Sequence, residues 1–128
     1  PLFTGNDGIL QLVEIVKVLG TPSIKDLVAM NHNYPAYKFT PEMGPQPWEK
    51  VVRGWSPREA NELADALLRY DPTKRLPPLH ARLHRFVDSL RLEDKPAHRM
   101  LFNFKPDELR WCTPRERERL IPRWARAM

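Results

Sequence analysis

The clearest pattern of hydrophobic and polar positions covers residues 8–19 and predicts a helix that is apolar over most of its circumference. Between Ile9 and Leu19 the only polar residues are Gln11, Glu14 and Lys17. Gly20, followed by Thr21-Pro22, predicts a sharp end to this helix. At ~100° per residue the apolar positions form two adjacent sides. One side consists of Ile9, Leu12, Val13 and Val16, and the other of Ile15, Val18 and Leu19.

Two interpretations of this wide apolar arc remain open from the pattern. In the first, the whole arc is buried inside its own domain. In the second, the side with Ile15, Val18 and Leu19 packs inward, while the side with Ile9 and Val13 meets a helix of a partner protein.

The rest of the chain predicts further helices separated by proline-rich segments, so the expected fold class is mainly α. A short helix is expected over residues 23–30, and longer ones over 57–69 and 78–91. Ser56 and Glu59 have the spacing of a capping box, as do Thr113 and Glu116. Residues 31–57 contain five prolines, which predicts an extended insertion. Beyond Arg91 we expect an extended tail anchored at intervals by apolar side chains.

Composition narrows the class of protein and of partner. The chain has 128 residues and a formal net charge of +5, and its basic excess lies in residues 65–128. Basic and acidic residues alternate around Arg115–Arg119, which is typical of a solvated helix, so nucleic-acid binding is not expected. No apolar run is long enough to span a membrane. Cys112 is the only cysteine, so no internal disulfide is possible, and a cytoplasmic or nuclear location is expected.

Two histidines and the single cysteine are the candidate chemical sites of the sequence. His80 and His84 lie four residues apart, a spacing that allows a helix to chelate a transition metal. Neither a His-Glu-x-x-His pattern nor a nearby third ligand accompanies them, so no metal site is expected. Cys112 has no positioned histidine beside it and is expected to be a small packing residue.

Four sequence blocks together resemble one protein family. The blocks are PLFTGNDGILQLVEIVKVLGTP, then MNHNYPAYKF with QPWEKV, then LLRYDPTKRLPPLHARLHRF, and finally LFNFKPDELR with LIPRWAR. In this order they resemble the C-terminal half of the catalytic domain of a serine/threonine protein kinase of the shaggy or glycogen synthase kinase type. Thr4, Ala36 and Pro77 differ from the residues usual in that family.

The resemblance implies a domain organisation. Residues 1–91 would form part of the helical C-terminal lobe of a protein-kinase-like fold, with the insertion over residues 31–57. Residues 92–128 would form a C-terminal extension that packs on the lobe.

The resemblance also implies an activity for the parent protein that this chain cannot perform alone. A protein kinase uses a Gly-rich loop, a strand lysine, a His-Arg-Asp loop and an Asp-Phe-Gly metal site to bind ATP and magnesium. No Gly-x-Gly-x-x-Gly, His-Arg-Asp or Asp-Phe-Gly sequence occurs in residues 1–128. We therefore expect no cofactor in this chain, and ATP with Mg²⁺ in the parent. The alternative is a stand-alone, non-catalytic interaction module derived from a kinase lobe.

Finally, the resemblance implies two sets of site residues. In the family, the first helix and the following insertion form a groove for an amphipathic helix of an axin-like scaffold protein. The partner-binding positions carried over are Ile9, Leu12, Val13, Val16, Tyr34, Tyr37 and Lys38. Three residues are expected to be structural: Trp48 in the insertion, Arg75 as the partner of a glutamate elsewhere in the kinase domain, and His84 in the last conserved block.

Overall fold

All regular secondary structure in the described part of the chain is helical, which confirms the mainly α class. The computed structural model describes residues 1–33, 39–52, 54, 56–91 and 98–126. Its α-helices are α1 (Gly8–Leu19), α2 (Ile24–Met30), α3 (Trp48–Val51), α4 (Arg58–Leu67), α5 (Pro78–Arg82), α6 (Pro106–Leu109) and α7 (Pro114–Leu120). Short 3₁₀ helices cover Pro72–Lys74, Arg85–Leu90, Arg99–Phe102 and Arg123–Ala125. The helices belong to two units, residues 1–75 and residues 76–128.

In the first unit, helix α1 has the bounds predicted from the sequence. A side-chain cap marks its start and a glycine marks its end. Asp7 precedes the helix in extended geometry, and its side chain accepts a hydrogen bond from the Leu10 N–H at 2.8 Å. This bond satisfies one of the amide groups that have no partner inside the helix. At the other end Gly20 has a φ of 82° and donates its N–H to the Val16 carbonyl. Helix α2 also matches its prediction, and Ser23 and Asp26 close its capping box.

The described end of the insertion is attached to the C-terminal end of α1. The Thr21 N–H donates to the Met43 carbonyl at 2.8 Å, and the Met43 N–H returns a bond to the Thr21 hydroxyl at 2.8 Å. The Gln46 N–H donates to the Val18 carbonyl at 2.9 Å. The Gln46 bond satisfies the Val18 carbonyl, which the helix end would otherwise leave without a donor. The three bonds together order a segment that has no regular structure of its own.

Helix α4 begins differently from the prediction. The capping box expected at Ser56 and Glu59 is wrong, because Pro57 is the residue that precedes the helix and it provides no side-chain cap. The Ser56 hydroxyl instead donates to the side-chain oxygen of Asn61. Asn61 is buried, and its amide nitrogen donates to Glu49 at 3.0 Å. A buried amide loses free energy when its polar atoms lack partners, so Asn61 determines where the serine hydroxyl points.

In the second unit, the single helix predicted over residues 78–91 is two shorter pieces. Helix α5 ends at Arg82, and a 3₁₀ helix follows from Arg85 to Leu90. The break lies at His84, which has extended backbone angles and accepts a hydrogen bond from the Phe86 N–H on its Nδ1 atom. This local side-chain bond replaces a continuing helical bond.

The core of the second unit joins segments that are far apart in sequence. Its buried members are Leu83, Cys112 and Leu120, and Leu79, Phe104, Leu109 and Ile121 pack against them. Cys112 is a free thiol in this core, which confirms its expected packing role. Helix α7 presents Leu120 to the core, and its predicted capping box between Thr113 and Glu116 is present.

Candidate functional site

The candidate site is the exposed side of helix α1, and its first turn is held by the loop before it. The Gly5 N–H donates to the side-chain oxygen of Gln11 at 2.8 Å. A Cβ atom at Gly5 would lie 2.1 Å from the backbone nitrogen of Gln11, so only glycine allows this close approach. Together with the Asp7 cap, this contact gives the start of α1 a fixed geometry.

Helix α1 exposes a group of large apolar side chains to solvent. Ile9 is 77% exposed, Leu10 is 46% exposed and Val13 is 41% exposed. We call these three residues the α1 apolar face. Ile9 and Val13 are separated by four positions, and Leu10 and Val13 by three, so the three side chains are neighbours on the helix surface. Apolar side chains at this spacing can pack against the apolar face of an amphipathic helix from a partner protein.

The structure divides the predicted partner-binding positions on α1 into two groups. Ile9 and Val13 are exposed, as expected, and Leu12 is half-buried. Val16 was expected on the partner-facing side, but it is only 6% exposed and is the buried residue of this helix. Val16 therefore packs inside its own unit, because the buried arc is centred closer to Leu12 and Val16 than the sequence pattern indicated.

Sequence reasoning missed Leu10, which takes the place of Val16 on the exposed side. Its three-residue spacing from Val13 was the available signal. The polar edge of this side is formed by an ion pair between Lys17 Nζ and Glu14 Oε1 at 2.6 Å. Helix α2 exposes apolar residues as well, namely Ile24 and Val28.

The C-terminal end of α1 is stabilised by a tyrosine from the turn after α4. The Tyr70 hydroxyl donates to the Gly20 carbonyl at 2.7 Å. Burial, together with the negative charge of Asp26, raises the pKa of Tyr70 to about 12. Tyr70 therefore stays protonated at neutral pH and remains a hydrogen-bond donor to the end of the helix.

The insertion residues expected at the site, Tyr34, Tyr37 and Lys38, lie outside the described residues. The three positions expected to be structural are described. Trp48 is half-buried and begins helix α3. His84 ends α5 through its bond with the Phe86 N–H.

Arg75 is the third of these structural positions, and its side chain is exposed. Its Nε donates to the Arg69 carbonyl at 2.7 Å, and its Nη2 lies 3.4 Å from the Tyr70 carbonyl. It thus closes the turn that follows α4. The turn is also held by Asp71, whose pKa is lowered because the Thr73 side chain and backbone donate hydrogen bonds to its carboxylate. The pairing of Arg75 with a glutamate elsewhere in a kinase domain stays a prediction.

The two histidines considered as metal ligands take other roles in the structure. His80 Nε2 lies 3.7 Å from Glu116 Oε1, whereas His84 caps a 3₁₀ helix. Within the described residues, no three His, Cys, Asp or Glu side chains are grouped as a metal ion would require.

No protein-family model matches the chain. Across the described segments, no helix has the length and apolar character needed to cross a bilayer. A function can be argued from the α1 apolar face. The helix that carries this face is capped by Asp7 at its start, and the Gly20 carbonyl at its end accepts a hydrogen bond from Tyr70.

Proposed function

We propose that this chain is part of the helical C-terminal lobe of an ATP-dependent serine/threonine kinase of the shaggy or glycogen synthase kinase type, and that the α1 apolar face docks an amphipathic helix of a scaffold protein. The observation that carries the docking part is the exposure of Ile9, Leu10 and Val13 on one side of a rigidly capped helix. The kinase part is supported by the four sequence blocks, the first of which contains helix α1 with the bounds predicted from its sequence pattern.

The proposed partner is an axin-like helix because the chemistry of the face suits such a ligand. Aliphatic side chains spaced by three and four residues provide an apolar surface for the partner's leucine or phenylalanine side chains. Glu14 and Lys17 lie next to this surface and can orient a partner through complementary charges. The other expected partner is the rest of the kinase domain, which would carry ATP and Mg²⁺.

Under this proposal the chain acts in the cytoplasm or the nucleus and binds neither nucleic acid nor membrane. This exclusion rests on the alternation of basic and acidic residues around Arg115–Arg119, which is typical of a solvated helix and not of a surface that follows a phosphate backbone.

The docking part is tested with Val13→Glu and a fluorescently labelled amphipathic peptide from an axin-like scaffold, in the 128-residue chain and in the parent kinase. Burial of a valine side chain contributes about 1.5–3 kcal/mol, so replacing it with a charged group is expected to weaken binding at least about tenfold. Fluorescence anisotropy measures the dissociation constant, and far-UV circular dichroism verifies that the variant is folded.

Val28→Glu is the matched control, because Val28 is an exposed valine on the neighbouring helix α2. It is expected to leave peptide affinity unchanged. Equal affinities of both variants and the unmodified chain would show that the α1 apolar face is not the docking surface.

The alternative is a stand-alone module that binds a partner helix without catalysis. Both hypotheses use the same docking face, and they differ in what the gene encodes. Reading the coding sequence upstream of Pro1 separates the two. His-Arg-Asp and Asp-Phe-Gly motifs within about a hundred residues would support the kinase, whereas an in-frame stop followed by a start codon would support the module. Thermal stabilisation by ATP with Mg²⁺ is expected of the parent kinase and not of residues 1–128.

A further inference from the structure

A cavity in the second unit has an apolar floor and a cationic rim. Its volume is about 530 Å³, and its walls include Phe102, Phe104 and Ile121 together with Arg99 and Arg126. Cavities of ~300–1,000 Å³ with apolar walls and a few polar groups are typical small-molecule sites. We call it the Arg99–Arg126 cavity. Its described lining residues lie between Arg99 and Arg126 and include none of the α1 apolar face, so the inference does not rest on the function proposed above.

The aromatic floor is held in place by its neighbours. The Phe102 ring makes an edge-to-face contact with Trp124, with ring centroids 5.2 Å apart. The Arg82 guanidinium lies 4.8 Å from the Phe102 ring centroid and 5.7 Å from that of Phe104. Both distances are within cation–π range. The floor is therefore formed before any ligand arrives, which reduces the ordering cost of binding.

The two rim arginines are positioned by backbone carbonyls. Arg99 Nη2 lies 3.3 Å from the Trp124 carbonyl oxygen and 3.4 Å from that of Arg126. Arg126 Nε donates to the Ile121 carbonyl at 3.1 Å, and its Nη2 donates to that of Glu118 at 2.9 Å. These bonds hold each guanidinium in place through Nη2 of Arg99 and through Nε and Nη2 of Arg126.

The charge of this rim is not neutralised by the described residues. Elsewhere in the chain, arginines such as Arg58, Arg69 and Arg91 are paired with carboxylates. Neither Arg99 nor Arg126 has a carboxylate within ion-pair distance in the described segments. Hydrogen bonds between a cationic guanidinium and a carboxylate are charge-assisted and stronger than neutral ones.

We propose that the Arg99–Arg126 cavity binds a small amphiphilic carboxylate, whose aromatic or aliphatic body lies on the phenylalanine floor and whose carboxylate is held by the rim arginines. No covalent chemistry is involved. The charge complementarity and the apolar floor together select this ligand class over a neutral apolar compound, which would leave the guanidinium donors unpaired, and over a free inorganic anion, which would leave the floor uncovered.

The test compares 1-naphthaleneacetate with 1-naphthaleneacetamide, which has nearly the same shape and no charge, by isothermal titration calorimetry on the 128-residue chain. We expect the acid to bind at least about tenfold more tightly than the amide, because charge-assisted hydrogen bonds are stronger than neutral ones. Its affinity is expected to fall as NaCl is raised, since salt screens the rim charges.

Three variants localise the binding. Arg99→Gln is expected to weaken the acid about tenfold while leaving the amide unchanged. Met100 lines the cavity and is 75% exposed, so Met100→Glu is expected to repel the acid without loss of fold. Arg115→Gln, on the exposed surface of α7, removes the same charge away from the cavity and is expected to leave both affinities unchanged.

Circular dichroism verifies the fold of each variant. Three outcomes would overturn the proposal. They are equal binding of acid and amide, an effect of Arg115→Gln as large as that of Arg99→Gln, and no detectable binding of the acid at several millimolar.

Discussion

Replacing Gly20 with alanine is expected to destabilise the first unit. Gly20 has a φ of 82° and a ψ of 176°, a combination that is essentially restricted to glycine. An alanine Cβ would also lie 2.8 Å from the Pro45 nitrogen and 3.0 Å from the Met43 carbonyl oxygen. Both atoms belong to the backbone, so no side chain can rotate away to make room.

The expected cost follows from two contributions. Holding a residue other than glycine in this region of backbone space costs about 1–3 kcal/mol. Moving the Met43–Pro45 segment also strains the bonds between Thr21 and Met43 and between Gln46 and Val18, each of which contributes about 0.5–1.5 kcal/mol. A total loss of about 2–4 kcal/mol is therefore expected, which is a large fraction of a typical domain stability of about 5–15 kcal/mol.

Urea denaturation measures this loss, and hydrogen exchange localises it to the Thr21 and Gln46 amides. Gly44→Ala is the matched control, because nothing lies within 4 Å of a Cβ built there and its φ is not positive. Gly44→Ala is expected to be neutral, or stabilising by up to about 1 kcal/mol through the unfolded state. If Gly20→Ala falls within about 0.5 kcal/mol of this control, the reasoning about the glycine is refuted.

Two further predictions concern titrating groups. Tyr70→Phe removes the bond to the Gly20 carbonyl and is expected to cost about 1 kcal/mol at pH 8. Because the folded pKa of Tyr70 is raised to about 12, the unmodified chain should lose stability as the pH rises above about 10. Urea midpoints at pH 8 and 11 should fall further in the unmodified chain than in the variant. For Glu116, hydrogen bonds from the Thr113 backbone and hydroxyl lower the pKa of the carboxyl, so its stabilising effect is present at neutral pH and lost as the pH falls through that lowered value. Glu116→Gln should lower Tm at pH 7 and flatten its fall towards pH 3, and an acid profile parallel to that of the unmodified chain would contradict this account.

The sequence by itself determined the features that depend on neighbours three or four residues away. The bounds of α1 and α2 and the capping box of α7 were predicted because a cap, a glycine stop and an i, i+3 hydrogen bond are local interactions. The packing role of Cys112 was predicted in the same way, from the absence of a reactive partner beside it. The kinase resemblance and the docking residues Tyr34, Tyr37 and Lys38 stay predictions.

Only the tertiary structure decided which apolar residues are buried and which polar groups find partners. On α1 the apolar arc is wider than one contact surface, so the sequence pattern could not distinguish Val16, which is buried, from Leu10, which is exposed. Ser56 bonds to the buried Asn61, whose amide also reaches Glu49 in helix α3, and the predicted capping box does not form. The reason is physical. Burial and polar pairing depend on segments that are distant in sequence, and their free energies exceed the small local preferences that a sequence pattern records.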